Sequence, residues 1–304
     1  MHGYSRRDFI KTTLGGASLL ATAPAWLPAG QAANAGGKIC ANDVVTLGRT
    51  GIKVSRLAQG TGFNGSARQS DHTRMGKQAF DQLLRHSLDQ GVSFLDMADL
   101  YGTHPFVKDV VKGIPRDKLV LLSKIWVRNE NWVTPSGGAK EEVGRFCKEL
   151  GTETLDLCLI HCMTDSKWTD TYERVRDELS ELKQKGVVRG VGVSCHDFGA
   201  LKVAATHPWV DVIFARINNK GGRDYSMDGT AEEVAAVLKQ ARASGKAVVG
   251  MKIFGAGKLV KPEEKDASLQ FVWSRGLVDA ITIGMLKTSE VDDTVKRISQ
   301  VQLS

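Results

Sequence analysis

Beyond about residue 44 the chain is written in short apolar runs rich in β-branched residues, alternating with longer amphipathic stretches. That alternation is the mark of β/α units laid into a parallel sheet. Strand-like runs fall near 56–61, 92–97, 118–125, 155–161, 187–194, 210–217, 247–253 and 279–284. Helix-like stretches fall between and after them, among them 78–90, 140–150, 171–185, 231–244 and 291–299. Gly91, Gly151, Gly186, Gly245 and Gly276 stand where several of these end, as helix C-termini favour. Eight strands, each followed by a helix or loop, predict an α/β fold of the closed (β/α)₈ type, a TIM barrel. Ahead of them, the extended runs 44–47 and 52–54 around Gly-Arg-Thr-Gly predict a short β-hairpin. An open doubly wound sheet would carry a Gly-x-Gly-x-x-Gly turn after its first strand. Gly60-Thr-Gly62 lacks the third glycine, and Gly190-x-Gly192 lies inside a strand run.

The first 35 residues break the pattern. Residues 5–11 read Ser-Arg-Arg-Asp-Phe-Ile-Lys, which resembles a twin-arginine export motif with Arg6 and Arg7 as the pair. A weakly apolar stretch runs from Thr13 to about Leu27, and small residues follow from Ala29 to Ala35. This is the layout of a signal peptide. The stretch is short for a transmembrane helix, and Pro24 and Pro28 interrupt it. Residues 1–35 are therefore expected to be an address read by the twin-arginine translocation machinery. Residues 36–304 form the barrel domain, and the destination is periplasmic or otherwise outside the cytoplasm.

Composition narrows the class. A length of 304 residues suits one barrel, since such domains use about 250. Hydrophobic residues at 42% and charged residues at 25% fit a soluble globular protein without stable membrane insertion. The net charge of +7 is scattered, with no basic stripe, which argues against a nucleic-acid partner. A positive field still favours an anionic cofactor or substrate. Five cysteines at irregular spacing do not make a disulfide framework. Cys158-Leu-Ile-His-Cys162 matches no zinc or haem spacing, so no metal site is expected. On their strand, Cys158 and Cys162 alternate with Leu157, Leu159 and His161, and both should face the surrounding helices.

Three polar residues stand where apolar strand runs stop. Val92, Phe94 and Asp96 share one face of the second run; Val120, Leu122 and Lys124 share one face of the third. Leu155, Leu157, Leu159 and His161 do the same in the fourth. In barrels of this kind catalytic groups sit at the C-terminal ends of strands. A lone buried Asp, Lys or His is costly, so clustering would let them satisfy one another. Tyr101 follows Asp96 in the next loop.

On these residues the chain resembles the aldo-keto reductases, from about residue 44 to the end. Phe94-Leu-Asp-Met-Ala-Asp-Leu-Tyr-Gly102 is similar to their Asp-x-Ala-x-x-Tyr-Gly motif. Leu121-Leu-Ser-Lys124 and Leu155-Asp-Leu-Cys-Leu-Ile-His161 resemble their strand-three lysine and strand-four histidine. Leu47-Gly-Arg-Thr-Gly-Ile-Lys-Val-Ser55 is similar to their opening hairpin. The resemblance implies a catalytic tetrad of Asp96, Tyr101, Lys124 and His161. Tyr101 would protonate a carbonyl oxygen as hydride arrives from a nicotinamide. Lys124, held by Asp96, would lower the tyrosine pKa from near 10, and His161 would orient the carbonyl.

The resemblance also implies a nicotinamide cofactor, NADP by family habit with NAD as the other choice. Its contacts would be Gly60, Thr61, Ser194, Met251, Phe254, Gly255, Thr288 and Ser289. The match is imperfect: Cys195 stands where many members have Asn, Phe214 where Gln is common, and Met251 where many stack a Tyr. The usual arginine for a 2′-phosphate is missing, and Asp292 and Asp293 lie in its neighbourhood. Trp126, Trp132 and Trp168 either wall a pocket or cap the core. With the chain stopping soon after the last helix, an open mouth is expected. The implied activity is hydride transfer between NAD(P)H and a small-molecule aldehyde or ketone. The alternative is a weakly active or non-catalytic barrel that binds a dinucleotide or a partner.

Overall fold

The computed structural model describes residues 37–127 and 138–303. Arg6, Arg7 and the rest of the expected signal segment lie outside the described residues, as does Trp132.

The chain opens with an antiparallel hairpin, β1 (Val44–Thr46) and β2 (Lys53–Ser55). The barrel strands are β3 (Leu57–Gly60), β4 (Phe94–Asp96), β5 (Val120–Trp126), β6 (Leu155–Met163), β7 (Val188–Cys195), β8 (Val212–Arg216), β9 (Ala247–Met251) and β10 (Ala280–Ile283). They pair in chain order, all parallel, and β10 closes on β3. Around them run α1 (Asp71–Arg74), α2 (Lys77–Asp89), α3 (His104–Val111), α4 (Ala139–Leu150) and α5 (Trp168–Thr171). These are followed by α6 (Glu173–Gln184), α7 (Phe198–Thr206), α8 (Ala231–Ala243), α9 (Pro262–Ser274) and α10 (Thr288–Ile298). Among the described residues no helix is long and apolar enough to cross a membrane.

The period of two along each strand builds two cores. Inward positions (Ala58, Phe94, Leu122, Leu157, Leu159, Val212, Phe214, Val249) pack inside the barrel. Outward positions such as Leu95, Leu121, Cys158 and Ile160 pack against the helices. The hairpin belongs to the inner core, because Leu47, Ile52 and Val54 plug the barrel's N-terminal end. Close docking there needs Gly48: a Cβ on it would meet the Ala247 nitrogen at 2.5 Å. With that end filled, the C-terminal ends of the strands are left to form a cleft.

One strand departs from simple alternation. The β6–β7 register slips between Ile160 and Met163, and Cys162 takes a left-handed φ of +67°. Its N–H donates to Ser194 Oγ at 2.8 Å. Cys158 faces the helices as expected, whereas the slip leaves Cys162 partly exposed, close enough to act electrostatically on Tyr101 and Lys252. Period-two reading carries no information about a bulge, which re-aims a side chain at a strand end.

Candidate active site

Asp96 ends β4, Lys124 lies near the end of β5, and His161 lies near the end of β6. Their shared mouth is where the barrel brings them together. Asp96 Oδ1 accepts from Lys124 Nζ, which also donates to the Met97 carbonyl at 3.0 Å. Asp96 Oδ2 accepts from Thr282 Oγ1 at 2.8 Å. This pair is buried, with Asp96 5% and Lys124 2% exposed. Buried charges persist when paired and hydrogen-bonded, and Thr282, Asp96 and Lys124 meet that condition.

Tyr101 ends a 3-10 turn, Asp99–Tyr101. Its ring packs edge-on against His161, centroids 5.6 Å apart, and Lys124 Nζ lies 5.1 Å from its centre. Space for that ring comes from glycine: a Cβ on Gly62 would fall 2.3 Å from ring atoms, and one on Gly65 2.6 Å away. Gly62→Ala should therefore keep the fold while displacing the ring. A misplacement on the order of 1 Å costs about 10²-fold in rate, which turnover assays alongside a melting curve would detect.

The turn is pinned from behind. Asp99 accepts from Arg68 Nη2 at 2.8 Å and from Arg145 Nη2 at 2.5 Å. Arg145 also pairs with Glu142 and Glu149, and His104 bridges Glu149 to Ser123 at 2.8 Å on each side. Asp99 lies within the quoted motif, but its partners come from a loop and a helix far away in sequence, so only the fold reveals them.

The electrostatics correct one expectation. Burial first, then Asp96 and Cys162, push Tyr101 well above its usual value of 10. Tyr101 is thus held as the neutral phenol. Burial, then Lys124, His196 and Lys252, hold His161 well below its usual value. It is a neutral imidazole, and its buried Nδ1 has no hydrogen-bond partner among the described residues.

A cleft of about 340 Å³ runs from these groups towards α10. Of the expected cofactor contacts, Gly60, Ser194, Met251 and Phe254 line it. Thr61 does not: it is fully buried, and its Oγ1 donates to the Asp96 carbonyl at 2.9 Å, so it braces the end of β4 instead. Gly255 is buried beside the cleft against Leu259 and Tyr225. Thr288 and Ser289 are exposed at the start of α10, and the residues of that helix that reach the cleft are Glu290, Asp293 and Thr294. Trp126 packs against His161 at 5.5 Å, while Trp168 is buried against His207 and Trp209 and caps the outer core. Lys252 and His196 also line the cleft.

A parallel eight-stranded barrel with an Asp–Lys pair, a tyrosine and a histidine at its C-terminal mouth is the architecture of a barrel oxidoreductase. The chain belongs to the aldo/keto reductase family, whose model matches residues 57–302. Curated relatives include a probable aldo-keto reductase of Glycine max, 26% identical over 157 residues, or 49% of this chain and 44% of that one. YhdN of Bacillus subtilis is 28% identical over 164 residues, 50% of this chain and 46% of the relative. These matches span under half the length of either relative. Among solved structures, AKR11C1 from Bacillus halodurans in its holo form superposes with a TM-score of 0.69 at 20% identity, covering 86% of this chain and 92% of that one. An aldo-keto reductase from Klebsiella pneumoniae in complex with NADPH gives 0.63 at 19% identity, covering 86% and 90%. At these identities the superpositions establish the shared barrel fold.

Proposed function

We propose that the protein reduces an aldehyde or ketone with a nicotinamide dinucleotide. The observation that carries this reading is the neutral phenol of Tyr101, which lines the cleft beside neutral His161 and above the Lys124–Asp96 pair. A phenol kept protonated is a proton donor in waiting, and a neutral imidazole beside it can donate a hydrogen bond to the same oxygen. The Lys124–Asp96 pair fixes that geometry and favours negative charge forming at the mouth.

The cleft's chemistry suits the cofactor. Met251 and Phe254 offer apolar wall for a ring, and Gly60 and Gly284 keep the facing wall low. Ser194 Oγ accepts from Cys162 N, which leaves its own O–H for a carboxamide oxygen. When bound, a reduced nicotinamide supplies the hydride. Tyr101 supplies the proton to the carbonyl oxygen, and His161 holds that oxygen in place.

The family resemblance favours NADP, and relatives include a complex with NADPH. The outer end of this cleft offers little spare positive charge for a 2′-phosphate, because Glu290 and Asp293 line it and Lys265 on the same wall lies 3.5 Å from Asp293. We therefore read NAD as bound at least as well as NADP. Fluorescence titration with NADH and NADPH, followed by turnover on a panel of aldehydes, tests both statements. No binding of either dinucleotide would remove the reductase reading; tight binding of NADPH alone would remove the cofactor preference.

We also propose export by the twin-arginine route, on the strength of Arg6 and Arg7. Replacing both with Lys should strand the protein in the cytoplasm on cell fractionation, and normal export of that variant would overturn the proposal.

A further inference from the structure

The inner cleft holds more positive charge than the tetrad uses. Lys252 follows β9, and its φ of +59° places a non-glycine residue in the left-handed region. Two more such residues are Cys162 at +67°, within β6, and Ala256 at +55°, in the loop after β9. Conformations of this kind are costly and persist where the surroundings over-determine them. Lys252 keeps part of its surface open to solvent, while its ammonium is desolvated where it lines the cleft together with Met251, Tyr101, His161 and His196.

The neighbouring charges are already committed. Asp96 acts on Lys252 but is paired with Lys124. Arg216 Nη1 lies 3.1 Å from Asp228 Oδ1, and its Nη2 donates to His196 Nδ1. A guanidinium has no acceptor, so that ring nitrogen accepts and His196 carries its proton on Nε2 as a neutral imidazole. Asp96 cancels Lys124, Asp228 cancels Arg216, and both imidazoles are neutral. The surplus at this end of the cleft is the ammonium of Lys252. The outer end has the other sign, with Glu290 and Asp293 on its wall and Lys265 3.5 Å from Asp293.

We propose that Lys252 is an anion subsite, and that the substrate is a carbonyl compound carrying a carboxylate, of the 2-oxo-acid kind. The proposal rests on the reductase reading for the word substrate, but the subsite itself does not. A neutral aldehyde entering the cleft would strip water from the ammonium and return nothing; a carboxylate pairs with it. Burial, then Arg216 and Lys124, hold Lys252 below the ordinary lysine value, and a bound anion acts in the opposite sense. The sign change along the cleft further directs an anionic head inwards. A diphosphate would be attracted by the same charge, so the test has to separate the two sources.

Oxamate and methyl oxamate are non-reducible probes of similar shape that differ by one charge. Calorimetric titration of each, with and without bound dinucleotide, should show oxamate binding roughly tenfold tighter or more, the scale of one charge-assisted hydrogen bond. Lys252→Met should erase that preference and Lys252→Arg should restore most of it. In the wild-type protein the preference should shrink as salt is raised, which keeps the proposal open to refutation if Lys252→Met fails to fold. Equal binding of the two probes by wild type, or a preference that survives in Lys252→Met, would overturn it. So would a Lys252→Met variant that loses dinucleotide affinity while keeping the oxamate preference, since the lysine would then serve the cofactor's diphosphate. Turnover of pyruvate against methyl pyruvate is read separately. If neither is reduced while oxamate is still preferred, the 2-oxo-acid assignment falls and the anion subsite stands; the reductase reading falls only if the aldehyde panel and the dinucleotide titration fail as well.

Discussion

Replacing Tyr101 with Phe should lower kcat by roughly 10² or more, the usual contribution of a positioned proton donor. Cofactor affinity and thermal midpoint should stay close to wild type. The substitution removes a hydroxyl that makes no hydrogen bond to the described residues and keeps the ring that packs on His161. The pH profile supplies a second check. A donor works in its protonated form, so activity is lost as pH rises through its pKa. Burial, Asp96 and Cys162 place that pKa well above 10. Reductive kcat should therefore show no alkaline limb from Tyr101 below pH about 10. Wild-type turnover in Tyr101→Phe would remove this mechanism, whatever else the cleft does.

Lys124→Met should be the most damaging substitution for stability. It strands Asp96, 5% exposed, with no cation beside it. Breaking a buried pair from one side costs about 3–5 kcal/mol, against a total stability of about 5–15. Thermal or denaturant unfolding would read this directly, and turnover should fall with it. The double variant Asp96→Asn, Lys124→Met removes both charges and should recover part of the stability without recovering activity. A single Lys124→Met variant as stable as wild type would mean that the pair carries no structural weight.

The barrel was legible because its signal is repeated. Eight apolar runs each point to a strand, and a wrong boundary at one of them does not disturb the count. Asp96, Lys124 and His161 were legible for a related reason: each is a polar residue closing an apolar run on the face that becomes the interior. The rest of the site depends on backbone geometry that no pattern encodes. Thr61 looked like a cofactor contact, yet it turns into the wall and braces Asp96. Thr288 and Ser289 are exposed at the start of α10, and it was not legible that Glu290 and Asp293 of the same helix line the cleft. Cys162 was assigned to the outside by counting in twos, and the register slip after Ile160 undid the count. Lys252 was hidden because its orientation follows from one left-handed residue.

The hairpin plug fixes where the chain's leading end is attached. Ala41 accepts from the Leu57 N–H at 2.9 Å, and Lys38 bridges to Gln302 beyond the C-terminal end of α10. Both contacts lie on the closed face of the barrel, with the packed interior between them and the cleft. Whatever is joined ahead of Gly37, whether a leader, a fusion partner or a linker to a solid support, is therefore tethered at the pole opposite the catalytic mouth. An attachment made at Gly37 itself leaves the open mouth of the cleft facing away from it.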